Sequence, residues 1–471
     1  MLSELNSAET AYVFRHALLR DAAYQLQLPR DRARLHGLAF ELIEALAGAR
    51  PAEPAPLDAE REGPFVPHPT DPFAHELADH TRRAAGPRPV LVLYLRRAAE
   101  VAGRQFRLEA AQEHWLELSD LHEGVLRAEC LLRAGNAAWR QGRPQVAEAL
   151  YEEPRELFRK HRARRREGHA LTSLANVYQD TGRVELAERT HGQALAIHRE
   201  VGNRRGEGVT LGDLALVYQE TGRVELAERT LGQALAIHRE VGDRRFEGMA
   251  LGNLAGVYQE TGRSELAEQV LGQALAIRRE VGDRRGEGVA LGNLSGVYQE
   301  TGRVEQAERT YGQALDIHRE VGNRRFEGIA LGNLATVYQQ TGRVEQAERT
   351  YGQALAVLRE VRDRVSEGVA LGNLASVYQE TGRFELAERT YGQALAIYRE
   401  TGNRRFQGGH SCALALCLLL LGRSEDARRA WREGIVILES LRDTNEAEKQ
   451  RVAMRAACAK AGVAPFDAGG A

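Results

Sequence analysis

Apolar residues recur along most of the chain at the spacing of an amphipathic helix. In residues 248–287 the first apolar set falls at i, i+3, i+4 and i+7, and consists of Leu251, Leu254, Ala255 and Tyr258. A second set follows after a short polar gap and consists of Leu266, Ala267, Leu271, Ala274 and Leu275. One apolar stripe at this spacing indicates a helix that buries one face. The stretch is therefore predicted to form a pair of helices.

The helix-pair pattern repeats every 40 residues and is punctuated by the dipeptide Gly-Arg. The dipeptide occurs eight times at this interval, from Gly142-Arg143 to Gly422-Arg423. Glycine suits the left-handed position that ends a helix. A second turn in each unit carries Asn or Asp, which are preferred N-caps of the next helix. Self-similarity at a fixed period predicts a solenoid, in which each unit buries the apolar face of its neighbour.

Small and large residues take fixed places in the repeating unit. When Gly248 is position 1, small residues fall at positions 8, 20 and 27, a large residue at 24 and glycine at 15. In a later unit these are Ala335, Ala347, Ala354, Tyr351 and Gly342. This pattern resembles the tetratricopeptide repeat, and its long form is similar to the repeats of kinesin light chains and of the Pins family of G-protein regulators. The resemblance implies an all-α, right-handed superhelix (an α-solenoid) of about eight helix-turn-helix repeats, preceded by an irregular helical region.

Residues 1–48 lack the repeat. The segments Phe14–Tyr24 and Arg34–His36 resemble the last helices of the ATPase modules in bacterial STAND-type regulators. The sequence contains no GxxxxGK(S/T) motif, which is the phosphate cradle that such ATPases need. We therefore expect residues 1–48 to be a remnant or a docking piece of such a module, without ATPase activity.

The other boundaries follow from composition and from the regularity of the repeat. Residues 49–73 hold seven prolines, which favour an extended linker over a helix. Residues 74–124 are predicted to form irregular repeat-like helices, and residues 125–442 the repeat solenoid. Residues 443–471 are predicted to be a capping helix and tail. The residues expected to cover the apolar last repeat are Val452, Met454, Ala456 and Ala459.

Charge and composition limit the classes of partner. The 64 basic and 66 acidic residues give a formal net charge of −2, which does not suit a nucleic-acid-binding protein. Only three of the basic residues are lysine, a bias toward GC-rich codons that favours a bacterial source. No apolar run is long enough for a membrane span, and the first residues lack the apolar core of a signal peptide. We therefore expect a cytoplasmic protein that binds neither nucleic acid nor membrane.

No residue set has the spacing of a catalytic or metal site. His75 and His80 are five residues apart, whereas helical zinc motifs need histidines four residues apart on one face. The four cysteines form no CxxC pair. Histidine recurs at position 31 of three units, and we expect these side chains, His198, His238 and His318, to be solvated. We therefore expect a protein without enzymatic activity and without a metal or other cofactor.

The first helix of each repeat carries the candidate partner-binding residues, because in the resembled family these helices line a concave groove. The predicted groove residues are Asn253, Asn293, Asn333 and Asn373 at position 6, and Gln219, Gln259, Gln299, Gln339 and Gln379 at position 12. Side-chain amides both donate and accept hydrogen bonds, so they suit the main chain of an extended peptide. Glycine recurs at position 5, where it weakens a helix but allows close approach of a ligand backbone. The alternative is that these amides and glycines form a polar surface copied by recent duplication.

Two functions follow from these patterns. The first is a non-enzymatic scaffold or sensor that binds an extended segment of a partner protein in the concave groove. The second is the detached regulatory arm of a STAND-type ATPase, kinase or cyclase system. The identity of the partner and the sign of the groove's charge stay open, because acids at position 13 and arginine pairs near the rim oppose each other.

Overall fold

The computed structural model describes residues 28–59, 65–441 and 443–466, and the regular elements in those ranges are all helices. The all-α class and the repeating helix pairs that the sequence predicts are thus confirmed. The segment Phe14–Tyr24, on which part of the STAND resemblance rests, lies outside the described residues. A short 3-10 turn, Asp71–Phe73, precedes the second α-helix. The α-helices are α1 (Pro29–Leu46), α2 (Ala74–Arg83), α3 (Arg88–Arg104), α4 (Leu108–Asp120), α5 (Gly124–Arg140), α6 (Pro144–Lys160), α7 (Arg164–Asp180), α8 (Val184–Glu200), α9 (Arg204–Glu220), α10 (Val224–Glu240), α11 (Arg244–Glu260), α12 (Ser264–Glu280), α13 (Arg284–Glu300), α14 (Val304–Glu320), α15 (Arg324–Gln340), α16 (Val344–Glu360), α17 (Arg364–Glu380), α18 (Phe384–Thr401), α19 (Arg404–Leu420), α20 (Ser424–Ser440) and α21 (Thr444–Ala461).

The chain divides into two compact units, Met1–Ile237 (unit 1) and His238–Ala471 (unit 2). Within each unit the two helices of a repeat pack against each other, and the second helix packs against the first helix of the next repeat. This is the arrangement in which neighbouring repeats bury one another's apolar stripes. From α5 onward, odd-numbered helices up to α19 are the first helices of their repeats, and even-numbered helices are the second.

Helix ends follow the turn chemistry that the sequence predicts. The N-cap carboxylates of three first helices accept a hydrogen bond from the amide three residues on: Asp243 from Phe246, Asp283 from Gly286 and Asp363 from Ser366. The glycine of the Gly-Arg dipeptide takes the left-handed conformation, as at Gly302 with φ 73°. Arg362 also takes this conformation, with φ 56°, where sister repeats have glycine. The glycines and the Asn or Asp residues that recur in the turns therefore determine the backbone geometry at both turns of the repeat.

The arginine of the Gly-Arg dipeptide forms an ion pair with the preceding repeat. Arg303 lies over the ring of Tyr298, 4.6 Å from the ring centre, and forms an ion pair with Glu268 of the preceding repeat at 2.7 Å. Its Nε donates to the Thr301 hydroxyl at 2.9 Å. The same stacking and ion pairing recur at Arg183, Arg223, Arg343 and Arg383. The period of the dipeptide therefore reflects packing between repeats as well as the turn.

The glutamate at position 40 of the repeat forms ion pairs with two arginines. Glu287 is buried and forms ion pairs with Arg279 at 2.7 Å and with Arg284 at 2.6 Å. Burial raises the pKa of Glu287, but the hydrogen bonds from the two arginines outweigh it and hold the pKa below its ordinary value. A buried charge is costly unless it is paired. Each of the equivalent acids also forms ion pairs with two arginines, namely Glu207, Glu327 and Glu367.

The histidines at position 31 are buried, so the expectation that they are solvated was wrong. The side chains of His198, His238 and His318 are at most 2% exposed. The cause is the glycine at position 1 of the repeat. A Cβ on Gly168 would lie 2.7 Å from Cε1 of His198, and a Cβ on Gly288 would lie 2.6 Å from the same atom of His318. The glycine thus leaves a slot for the ring of the second helix.

The proline-rich segment is irregular but packs on unit 1 in its described part. Pro51 and Leu57 are buried. Arg97 of α3 forms an ion pair with Asp71 at 2.6 Å and donates to the backbone carbonyl of Val66 at 3.0 Å. The segment predicted to be a linker is therefore held against α3 by charged contacts.

The last helix, α21, covers the apolar end of unit 2. Ala447, Met454 and Cys458 are buried in one cluster with Leu418 of α19 and Trp431 of α20. These three residues follow i, i+7 and i+11, which is one face of a helix. Of the residues expected to make this contact, Met454 is buried, whereas the others are exposed, namely Val452, Ala456 and Ala459.

Candidate partner-binding site

The predicted asparagines occupy equivalent places on α11, α13, α15 and α17 of unit 2. Asn253 and Asn373 are half-buried, and Asn293 and Asn333 are exposed. The Asn373 amide interacts with the Tyr351 hydroxyl. Within the described part of the chain, the Asn293 and Asn333 side chains form no hydrogen bond. We call the surface formed by Gly252–Asn253, Gly292–Asn293, Gly332–Asn333 and Gly372–Asn373 the first-helix face.

The predicted glutamines of unit 2 form a ladder between repeats. The amide nitrogens of three of the four donate to position 13 of the next repeat: Gln259 to Glu300 at 3.3 Å, Gln299 to Gln340 at 3.1 Å and Gln339 to Glu380 at 2.8 Å. Gln379 accepts a hydrogen bond from the Tyr391 hydroxyl at 3.1 Å. Gln219 lies half-buried on α9 of unit 1. The sequence did not reveal this ladder, because residues 41 positions apart meet only when repeats stack.

Two of the four glycines at position 5 in unit 2 leave open space beside the asparagines, whereas a Cβ added to Gly252 would lie 3.4 Å from Nη2 of Arg278. A Cβ added to Gly292 or Gly332 would meet no atom within 4 Å. At Gly372 the equivalent space is filled by the ring of His410, which comes from the next repeat. The open strip on the first-helix face therefore ends at α19.

Open glycines also occur on the second helices. Gly312 of α14 and Gly352 of α16 have nothing within 4 Å of an added Cβ. Glycine inside a helix costs about 1 kcal/mol relative to alanine, whichever face it lies on. The two glycine sets therefore provide a matched comparison between the first-helix face and the second helices.

Tyrosine hydroxyls from the second helices reach the first helices close to this face. The Tyr351 hydroxyl lies 2.9 Å from the Thr336 hydroxyl, and the Tyr391 hydroxyl lies 3.0 Å from that of Ser376. Burial raises the pKa of both tyrosines to about 12. Both phenols are therefore neutral at physiological pH and serve as hydrogen-bonding groups.

Helix α21 narrows the end of the surface in unit 2. A cavity of about 220 Å³ is lined there by Ser376, Gln379 and Tyr391, and by Lys449 and Gln450 of α21. Pockets that enclose small molecules are usually larger, from about 300 Å³ upward. The cavity therefore has room for a peptide side chain rather than for a large cofactor. It offers that side chain hydroxyl, amide and ammonium groups, together with the carboxylate of Glu380.

His75 and His80 contact different neighbours. His75 lies beside His114, with ring centres 5.0 Å apart, whereas Nδ1 of His80 lies 2.7 Å from Nδ1 of His36. Among the described residues, no group of three or more His, Cys, Asp or Glu side chains could hold a metal. Burial raises the pKa of Cys130 to about 12, which makes its thiol a weak nucleophile. No helix in the described ranges is long and apolar enough to cross a membrane.

Comparison with known proteins places these helix pairs among characterised repeats. The family model of the tetratricopeptide repeat matches residues 167–240, 246–320, 326–400 and 367–440, which together make up more than half of the chain. No curated protein sequence matches the chain.

Several solved structures share the helical architecture at low sequence identity. A Rap protein complexed with Competence and Sporulation Factor is 15% identical, with a TM-score of 0.53, over 70% of this chain and 94% of that chain. A putative kinesin light chain from Podosopora anserina with nearly identical repeats is 25% identical, with a TM-score of 0.34, over 41% and 95%. A STAND protein with a tetratricopeptide repeat sensor from Pyrococcus horikoshii is 17% identical, with a TM-score of 0.48, over 92% and 67%.

Proposed function

The chain belongs to the tetratricopeptide repeat family, and on that basis we propose that it is a non-enzymatic scaffold or sensor that binds an extended segment of a partner protein. The proposed binding surface is the first-helix face of unit 2. The Rap protein named above is complexed with Competence and Sporulation Factor, but at 15% identity that likeness carries the fold alone. The support for binding therefore comes from the residues of this chain.

The main support for this proposal is that exposed asparagine side chains lie beside glycines with free space around them. Asn293 and Asn333 are exposed, and Gly292 and Gly332 leave free space next to them. A side-chain amide supplies one donor group and one acceptor, which matches the N–H and C=O of a peptide main chain. The missing Cβ lets that main chain approach the helix closely.

The glutamines have a different part in this proposal. Gln259 and Gln339 donate their amide hydrogens to the next repeat. These bonds fix the spacing of the first helices and leave the glutamine carbonyls as further acceptors. The asparagines, rather than the glutamines, are therefore the main contacts that we assign to a bound backbone.

Removal of the asparagine amides tests the proposal. The immobilised full chain is incubated with a library of acetylated, amidated random nonapeptides, and retained peptide is measured by mass spectrometry. Changing Asn253, Asn293, Asn333 and Asn373 together to alanine removes one or two hydrogen bonds per site, each worth about 0.5–1.5 kcal/mol. Retention is expected to fall at least about tenfold, because each 1.4 kcal/mol is a factor of ten. Helicity and melting temperature should hold or rise, since alanine is the better helix former.

A matched set on the second helices controls for surface changes in general. Replacing Arg229, Arg309, Arg349 and Arg389 by alanine also truncates four polar side chains, all in second helices. This variant should retain peptide at nearly the wild-type level. If the asparagine variant retains peptide at full strength, the first-helix face is not the binding surface.

A second function, that of a detached regulatory arm of a STAND-type system, is favoured by α1. This helix buries none of its residues, and Leu38, Leu42 and Leu46 are between 50% and 79% exposed. Neighbouring exposed leucines on one helix form a contiguous apolar patch, and such a patch is typical of a surface that binds another protein. Changing Leu38 and Leu42 to serine should abolish co-purification of an ATPase, kinase or cyclase from the host. Co-purification at wild-type yield would contradict this second function.

A further inference from the structure

Asp213 of unit 1 lacks the arginine partners that the buried glutamates of this protein have. It lies half-buried on α9 at position 6, where four repeats of unit 2 carry asparagine. Its carboxylate accepts a hydrogen bond from Nδ2 of Asn176 at 3.2 Å. By contrast, Glu207 on the same helix forms ion pairs with Arg199 at 2.8 Å and Arg204 at 2.6 Å. No described Arg, Lys or His side chain forms an ion pair with Asp213.

A buried polar group without a hydrogen-bond partner lies on α8, in the repeat before that of Asp213. The His191 side chain is fully buried, and neither of its ring nitrogens has a hydrogen-bond partner. In the preceding repeat this place is taken by Tyr151, whose hydroxyl bonds the Asn136 side chain at 2.7 Å. Asn136 is the equivalent of Asn176. His191 gives Asn176 no such hydrogen bond, and the Asn176 amide instead donates to Asp213.

The polar groups described above are mainly hydrogen-bond acceptors. Burial lowers the pKa of His191 to about 4, so its ring is neutral and has a free lone pair. Burial raises the pKa of Asp213 to about 6, with the Asn176 bond as a smaller opposing effect. Two turns further along α9, Glu220 accepts a hydrogen bond from Gln179 at 2.7 Å and adds a second carboxylate. A carboxylate in such surroundings gains more from an added cation than one in water does.

We propose that Asn176 and Asp213 form a site in unit 1 for the basic side chain, arginine or lysine, of a bound peptide. This inference rests on the proposed function, because it supposes that first helices present peptide-binding surfaces. An incoming guanidinium or ammonium supplies the positive partner that Glu207, Glu287, Glu327 and Glu367 already have within the chain. Guanidinium fits best, since its several N–H groups can reach the carboxylate and the amide carbonyl together.

The test uses the full chain and four nonapeptide libraries. Each library is acetylated and amidated, and carries arginine, lysine, citrulline or norleucine in turn at one fixed position, with the other positions random. Citrulline has the shape of arginine without its charge. The wild-type chain is expected to retain the arginine or lysine library at least about tenfold better than the citrulline library, a difference of about 1.4 kcal/mol. In Asp213→Asn this preference should fall below about threefold, which is about 0.6 kcal/mol.

Two features of the design keep the result interpretable. Asp213→Asn places at position 6 the residue that sister repeats carry, so the fold should be kept. Asp316→Asn removes the same charge from an exposed place on α14 and should keep the wild-type preference. An unchanged preference for basic side chains in Asp213→Asn would overturn the site. A wild-type chain that retains peptides without any such preference would also overturn it and would leave the proposed function standing. A chain that retains no peptide at all would contradict both.

Discussion

Arg362 illustrates how tightly the turns of the repeat constrain single residues. It adopts φ 56° at a place where Gly282 and Gly322 adopt 67° and 65°. The left-handed conformation costs a residue with a Cβ about 1–2 kcal/mol, a cost that glycine does not have. Arg362→Gly is therefore expected to raise the free energy of unfolding by about 1 kcal/mol in urea titrations. Gly322→Arg should lower it by a similar amount. A lower stability for Arg362→Gly would show that other contacts of Arg362 outweigh the strain.

His191 predicts a gain in stability and a change in its pH dependence. The equivalent residue of the next repeat is Leu231, which is also fully buried, so leucine fits this place. His191→Leu removes two unpartnered ring nitrogens and is expected to stabilise the chain by about 1–3 kcal/mol at pH 7.5.

Acidification should enlarge the stability difference between His191→Leu and the wild type. Burial lowers the pKa of His191 to about 4 in the folded chain, whereas an unfolded histidine titrates near pH 6.5. The unfolded state therefore binds the extra proton as the pH falls from 6.5 toward 4, and the wild type loses stability in that window. Asp213 acts in the opposite sense, because its raised pKa of about 6 makes the folded state the better proton acceptor. Urea midpoints at pH 7.5 and 5.0, measured with Asp213→Asn in both chains, separate the two groups. Equal losses with and without His191 would contradict this assignment.

At this scale the sequence predicted the turns better than the contacts between helices. Asn and Asp at position 36 and glycine at position 15 act locally, and the structure shows the caps and left-handed turns that they favour. The burial of His198 depends instead on Gly168, which lies 30 residues earlier and meets the ring only after two helices pack. A contact of that kind has no local signature, so the side chain was expected to be solvated.

Among the elements, α21 gives the clearest case of a helix whose place depends on one face. Met454 is 1% exposed against the last repeat, whereas Val452 on the same helix is 56% exposed. Met454→Asp buries an unpaired charge and is expected to detach α21, because such a burial costs several kcal/mol, roughly 3 or more. Val452→Asp should change stability by less than about 0.5 kcal/mol.

Light scattering and urea titration check this prediction about α21. Detachment exposes the apolar residues around Leu418 and Trp431, which should cause the Met454→Asp chain to associate. The Val452→Asp chain should scatter like the wild type at the same concentration. If both variants scatter and unfold alike, α21 does not protect the end of unit 2.

The periodic helix elements could be predicted almost completely, and the surface chemistry between them only in part. Apolar spacing gave the helix pairs, because burial of one stripe is a property of a single helix. The sequence also predicted Asn293 and Asn333 as partner-binding residues; both are exposed, and their part in binding stays a prediction. The engagement of Gln259 with Glu300 was not, since the partner belongs to the next repeat. The same reason hid the ion pair between Arg303 and Glu268, which makes the Gly-Arg dipeptide more than a turn.

At the scale of the whole molecule, two explanations compete for the repeated glycines. Copying by duplication accounts for glycine on both helices of the repeat, including Gly312 and Gly352. Use in partner binding accounts only for those on the first-helix face, Gly292 and Gly332. All four leave open space in the structure, so filling that space should not disturb the fold. Leucine is a suitable replacement, because α5 already carries Leu132 at position 5.

The most direct test fills one face at a time. One variant carries Gly292→Leu with Gly332→Leu, and the other carries Gly312→Leu with Gly352→Leu. Leucine is the better helix former by nearly 1 kcal/mol per site, so both variants should melt at or above the wild-type temperature. Retention of the random nonapeptide library is expected to fall at least about tenfold in the first variant only, a loss of about 1.4 kcal/mol. Wild-type retention by the first variant, or a loss confined to the second, would contradict the claim that the first helices of this protein bind its partner.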